Sequence, residues 1–395
     1  MGAKDPEQIF ANDFTFGGEQ DPLCALPLGV RFWKVKDYSR IFRRLMAFLD
    51  GVLETTDAPF DITHPPYGKS CCARSRRLAD CFRHFNQLIE ICPEGFVYAP
   101  DVELFRSCYQ SHAKIAECTF QNPKWLRTDA LLEAEVFNDF IAYMRKEAAR
   151  QGVRKAIRDW KYGMTIRQKE KIAKYLRTMP NRTTKLLAVR CELQYREVAQ
   201  SADDVMVRAI EEGVPALRFE DFGEGELPEC RARLDSGVAM RHRDRFLANR
   251  YGKDRRLFDS LIGQVWKIEQ SEAGVIHHHV LFIFDGQVVK DDLARLEPIF
   301  RRWETITDGS GYAHSTHYKK QKWERLGRWH YGYIDTPAAL EAMIDDVATY
   351  FTKDKQLLRS KPAAKAHTLT KGWPRKPREG GPGRPRGKKW SSIAA

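Results

Sequence analysis

The spacing of apolar residues changes character near residue 184. Before that point hydrophobic side chains recur every three to four positions, and after it strictly alternating stretches are interleaved with helical ones. Asp37 to Leu53 places Ile41, Leu45, Phe48 and Leu49 on one side of a helix. The segment THPPYGK interrupts, and Ala73 to Ile91 continues the helical period with Leu78, Cys81, Phe82, Phe85 and Leu88. Asp101 to Cys118 and Thr128 to Gln151 predict two more helices, the second carrying a wide stripe of Leu131, Leu132, Val136, Phe137, Phe140, Ile141 and Met144. Val153 to Met179 is helical in pattern and strongly basic, with Trp160 and Tyr162 among Arg and Lys. It reads as a solvated connecting helix, with a DNA-backbone surface as the alternative. Residues 1–30 are polar with Gly and Pro and predict a loosely ordered N-terminus; residues 31–180 predict a mostly helical region without recognisable chemistry.

From Thr184 the segment TKLLAVRCELQY puts Leu187, Val189, Cys191, Leu193 and Tyr195 on one face and Arg190, Glu192 and Gln194 on the other, the pattern of a half-buried strand. Ser201 caps a predicted helix, and another covers Ala232 to Arg250. Val265 to Gly286 then reads as a β-hairpin turning at Gly274. A helix from Val289 to Trp303, strands at Gly311 to Tyr318 and Trp329 to Ile334, and a helix opened by Thr336 and Pro337 and running to about Gln356 complete the series. The order predicts an α+β domain over 181–358, a central antiparallel sheet of about five strands with packed helices.

Composition changes this picture at one place. Residues 359–395 hold eleven Lys or Arg against one Glu, so +10 of the net +13 sits in a Pro- and Gly-rich stretch without apolar period. That predicts a disordered basic tail, suited to a polyanion partner, on a nearly neutral body. Within it, Arg384 and Arg386 lie in a short basic Gly-Pro run resembling an AT-hook core, with nonspecific phosphate attraction as the better explanation. Nine cysteines without a CxxC pair argue for reduced thiols rather than a disulfide framework. No apolar run is long enough for a membrane span and the N-terminus lacks a secretion signal, so a cytoplasmic protein is expected.

Candidate chemistry concentrates on the hairpin. Strand alternation puts His277 and His279 on one face and His278 on the other, with Glu269 on the neighbouring strand within reach. Two imidazoles and a carboxylate suit a divalent ion, Mg²⁺ or Mn²⁺. On the last helix Tyr350 lies at the edge of the stripe formed by Leu340, Met343, Ile344, Val347 and Phe351, and Lys353 follows it by one helical turn on the same side. Taken alone that pair is ordinary packing. His314-Ser315-Thr316 resembles half of a two-histidine phosphoesterase signature, but no second copy exists and it is discounted. Lys319, Lys320, Lys322, Trp323 and Arg325, followed by Arg328, Trp329 and Tyr331, form an aromatic and basic stretch that suits either a single-strand contact or an exposed loop.

Taken together, GVIHHHVLFIFDG, the upstream WKIEQ and the downstream YFTKDKQLLR resemble the HUH endonucleases, and within them the inovirus-type rolling-circle replication initiators of filamentous phages and prophages. The resemblance covers about 184–358. It implies an HUH nuclease-like fold and a single-tyrosine enzyme that nicks single-stranded DNA at a replication origin. In that implication Tyr350 attacks the scissile phosphate, leaving a 5′-phosphotyrosine link and a free 3′ hydroxyl, with Lys353 beside the phosphate or the phenol and a divalent metal on His277, His279 and Glu269. Host helicase and polymerase would then be partners. His278 departs from the family pattern, which usually has a bulky apolar or aromatic residue there. Tyr312, Tyr318, Tyr331 and Tyr333 are expected to be structural or to stack on DNA. The alternatives are a noncatalytic basic DNA-binding regulator and a mobilisation relaxase with the same chemistry.

Overall fold

A computed structural model describes residues 23–25, 31–200, 228–248 and 254–372. Most of the expected N-terminal segment, the helix from Ser201, and the AT-hook-like run with Arg384 and Arg386 lie outside the described residues.

The first half packs around α1 (Asp37–Glu54) and α2 (Glu133–Arg150). Phe48, Phe85, Phe105, Phe137 and Phe140 meet there edge to face, an arrangement that satisfies the ring quadrupoles while burying large apolar area. The long helix expected over 73–91 forms as short pieces, Arg76–Ala79 and Phe85–Glu90 with a 3₁₀ turn between them, and its expected first residue ends a strand, Ser70–Ala73, paired with Phe60–Thr63. The basic helix expected from Val153 is two, α3 (Val153–Met164) and α4 (Ile166–Leu176), separated at Thr165, whose φ of -111° and ψ of -84° are not helical.

The second half is α+β. Its strands are β1 (Leu186–Tyr195), β2 (Leu261–Gln270), β3 (Ile276–Asp285), β4 (Gly311–His314), β5 (Gly332–Ile334) and β6 (Leu369–Lys371). They form one antiparallel sheet of six strands in the order β5-β1-β3-β2-β6, with β4 paired to the other end of β1. The strand expected over Gly311 to Tyr318 stops at His314 and continues as a 3₁₀ turn, Thr316–Lys319.

Helices cover both faces of the sheet. On one, Val189, Leu193, Trp266, Ile268, Val280 and Phe282 pack under α5 (Ser236–Ala248) and α6 (Leu293–Ile306). On the other, Leu186, Ala188, Val265, Leu281 and Ile283 pack under α4 and α7 (Pro337–Tyr350). β1 is therefore buried on both sides, not half-buried. Its polar residues face a helix layer instead of water. Arg190 is only 7% exposed.

The hairpin tip depends on Gly274, whose φ is +79°, a conformation glycine adopts without a Cβ penalty. A Cβ there would lie 2.6 Å from Cγ of Phe42 on α1. The turn glycine thus also lets the hairpin dock on the first half of the chain.

The boundary expected at Arg359 moves. Ser360 and Lys361 pair with Val97 and Tyr98, and β6 pairs with the outer edge of β2, Leu369 opposite Lys267 and Lys371 opposite Val265. An edge strand of three residues is held by backbone hydrogen bonds and needs no hydrophobic period. Among the described residues no helix is long and apolar enough to cross a membrane.

Candidate metal and tyrosine site

The register of the hairpin pairs Glu269 with His277 and Lys267 with His279, so these four side chains share the face covered by α4 and α7. His277 Nε2 and His279 Nε2 are 3.1 Å apart, and Oε2 of Glu269 lies 3.1 Å from His279 Nε2 and 3.9 Å from His277 Nε2. Glu269 is 1% exposed and neither of its oxygens receives a hydrogen bond; the short approach of His279 is one of distance without donor alignment. A buried carboxylate in that state is costly. A divalent ion about 2.1 Å from each of three ligands at right angles sets neighbouring ligand atoms about 3 Å apart; two of the three separations match and the third, 3.9 Å, corresponds to a wider angle, so these residues suit one.

His277 is oriented from behind, whereas Nδ1 of His279 has a charged neighbour but no hydrogen bond. Nδ1 of His277 faces the Val275 carbonyl at 3.4 Å, a partner that only accepts, which leaves Nε2 as the free lone pair. Burial, reinforced by neighbouring His279, pushes the His277 imidazole below its ordinary value, toward the neutral form a metal requires. Nδ1 of His279 faces Oε1 of Glu192 at 3.5 Å.

His278 is on the far side of the sheet, as alternation requires. Its Nδ1 accepts from Trp266 Nε1 at 2.9 Å, and its Nε2 is 3.0 Å from the Tyr195 hydroxyl. It is completely buried and held well below its ordinary value by that burial, so it serves as a neutral core side chain.

The tyrosine comes from the end of α7. Thr336 caps this helix by accepting from the Ala339 N–H, Pro337 opens it, and Tyr350 is its last residue. The phenol donates to Oε1 of Glu192 at 2.6 Å, and its ring meets that of His279 at 4.8 Å between centroids, nearly perpendicular. The expected helical spacing to Lys353 is wrong: the helix has ended, and Lys353 is extended at φ -59° and ψ 133°. Its ammonium nevertheless sits 3.5 Å from the centre of the Tyr350 ring, and the Arg190 guanidinium carbon is 3.6 Å away. Two cations on one phenol ring favour the electron-rich phenolate over the phenol.

Glu192, which the alternation places on the polar face of β1, joins these groups. Besides Tyr350 it accepts from Arg190 at 3.1 Å, and its Oε2 is 3.1 Å from Nε2 of His314 on β4. Burial raises its pKa, but the hydrogen bond from His314, the charge of His279 and the hydrogen bond from Tyr350 outweigh that and hold the carboxyl well below the usual range. For Tyr350, burial and then the Glu192 charge push the phenol up. Lys267, 0% exposed, bonds to Gln168 of α4, and burial brings its ammonium down to about 8.

The expected aromatic and basic loop is partly helical. Lys319 closes the 3₁₀ turn and Lys320–Arg325 form a short helix; Lys319, Lys320, Lys322 and Arg325 are exposed while Trp323 is half-buried. Tyr331 is buried, donating to Asp346 and accepting from Arg190 at 3.3 Å, and its role is structural. Tyr312, Tyr318 and Tyr333 are exposed.

Residues 148–306 match the family described as YagK/YfjJ C-terminal domain. That segment contains Glu192, Glu269, His277 and His279 and stops before Tyr350. No curated protein and no solved structure matches the chain.

Proposed function

We propose that this chain is an HUH-type endonuclease and strand transferase that initiates rolling-circle replication by nicking single-stranded DNA with Tyr350. The observation that carries the reading is the position of the Tyr350 ring against His279, beside the converging nitrogens of His277 and His279 and the donor-free carboxylate of Glu269. A divalent metal bound there, Mg²⁺ or Mn²⁺, would supply charge stabilisation to the phosphate under attack.

The chain's own groups supply the rest. Glu192 fixes the direction of the phenol hydroxyl, and Arg190 and Lys353 favour negative charge on its oxygen. The Tyr350 oxygen forms a bond to phosphorus while the bond from phosphorus to the 3′ oxygen breaks. The phenol proton leaves through Glu192 toward water, and the departing 3′ oxygen takes up a proton. The products are a 5′-phosphotyrosine link and a free 3′ hydroxyl. The link keeps the energy of the phosphodiester, so the same site can rejoin the strand.

Incubation with single-stranded oligonucleotides from its own replicon and Mn²⁺ is expected to give a covalent adduct that survives denaturing gel electrophoresis. Tyr350→Phe is expected to give none. An adduct of equal yield from Tyr350→Phe refutes the assignment, and DNA binding without cleavage under any divalent metal favours the noncatalytic regulator.

A further inference from the structure

The helices α3 and α4 lie outside the tyrosine chemistry, yet they carry an ordered charge pattern. Together they hold eight Lys or Arg against Asp159 and Glu170. The buried side of α4 is Ile172, Tyr175 and Leu176, packed under the sheet. On its other side Arg167, Lys171 and Lys174 are exposed at spacings of four and three, one outward stripe. α3 repeats the spacing with Arg154 and Arg158, both exposed, and Lys161, half-buried; Arg154 also donates to the Leu53 carbonyl. Arg158, Lys161, Lys171 and Lys174 make no ion pair among the described residues. Like charges spaced this way repel by a few tenths of a kcal/mol per pair, a cost that a row of phosphates reverses.

The side of α4 opposite this stripe reaches the nucleophile, through Lys169, which bonds to Thr349 of α7. Lys169 of α4 lines a cleft of about 700 Å³ together with Thr349, Lys353 and the hairpin turn at Ser271 and Ala273. The Lys353 in that wall is the one whose ammonium lies on the Tyr350 ring. Each stripe spans eight residues, seven steps of 1.5 Å or roughly 10 Å, about three phosphate-to-phosphate rises along one strand of a duplex.

We propose that the outward face of α3 and α4 binds the double-stranded DNA flanking the nick site, while the strand to be cut runs through the Lys169 and Lys353 cleft to Tyr350. The preference for a duplex polyanion follows from the stripes; its identity as DNA rests on the nicking function proposed above.

The test is fluorescence anisotropy on the full chain with Arg158→Gln, Lys171→Gln and Lys174→Gln combined, and with the same three positions changed to Glu. A DNA hairpin bearing a single-stranded arm is compared with the arm alone, across a salt series. Both variants are expected to lose at least tenfold in affinity for the hairpin, with the salt slope of the Gln variant lower by about three, and to bind the arm within about threefold of wild type. Anisotropy is read without added divalent metal and needs no cleavage, so a failed nicking assay leaves this result readable. Unchanged hairpin affinity in both variants, or an equal loss on hairpin and arm, overturns the proposal. Tighter binding of the matching RNA hairpin overturns its assignment to DNA.

Discussion

The Tyr350 hydroxyl donates to Oε1 of Glu192 at 2.6 Å. Burial pushes the phenol up while the contacts from His314, His279 and Tyr350 overcome burial and hold the carboxyl down, so the two affinities are driven apart and the proton stays on the tyrosine at rest. Glu192 therefore holds the hydroxyl in one direction. In the proposed nicking it would become an adequate acceptor only as the oxygen bonds to phosphorus and its proton turns acidic.

Glu192→Gln is accordingly expected to slow single-turnover adduct formation by roughly 10- to 100-fold, with little change in the DNA concentration giving half-maximal rate. Its amide keeps an oxygen for the hydroxyl but removes the charge that holds His314. A rate within twofold of wild type would show that the hydrogen bond has no part in attack.

Metal binding gives a second test. Because Glu269 has no hydrogen-bond donor of its own, Mn²⁺ is expected to stabilise the wild type, by about 2.7 kcal/mol at a hundredfold excess over Kd. His277→Ala combined with Glu269→Gln should abolish that stabilisation in thermal melts and the bound Mn²⁺ signal in electron paramagnetic resonance. His278→Phe should retain both, although its buried bonds to Trp266 and Tyr195 make it the less stable protein.

These residues were not equally legible in the sequence. His277, His279 and Glu269 follow from strand alternation and the hairpin register, because period two fixes which side chains share a face. Tyr350 could be placed at a stripe edge by helical period, whereas Lys353 could not, since the helix ends at the tyrosine and the chain turns the ammonium back over the ring. Glu192 and Arg190 were visible only as the polar side of an alternating strand, which reads as a solvent face. The deciding fact is the covering of that face by α4 and α7, a long-range packing choice that no local period encodes. His314 was set aside for lack of a matching motif, and it is the pairing of β4 with β1 that brings it to Glu192. The short edge strand β6 left no hydrophobic signal at all.

The hairpin turn makes a prediction about stability. Gly274→Ala combines a left-handed conformation with a Cβ pressed against Phe42, and is expected to cost about 2 to 4 kcal/mol. Urea unfolding checks this. Phe42→Ala in the same background is expected to cost less than it does alone, because it opens the space the new methyl needs.

Buried Lys267 makes a prediction about pH. Its folded value of about 8 lies below the ordinary 10.5, so the folded state releases a proton that the unfolded state keeps. The resulting penalty is full below pH 8, shrinks as pH rises toward 10.5, and vanishes above it. In metal-free buffer the stability of the wild type relative to Lys267→Met is expected to rise by roughly 3 kcal/mol between those limits. A flat difference would place the ammonium in water rather than beside Gln168.

Peptide mass mapping of the protein-DNA adduct bears most directly on the central claim. After incubation with single-stranded DNA and Mn²⁺, nuclease and trypsin digestion, the residual nucleotide is expected on the peptide containing Tyr350, with the modification localised to that residue by fragmentation. A nucleotide found instead on Tyr312, Tyr318 or any other side chain, or no adduct while Mn²⁺ and DNA are both bound, would contradict it.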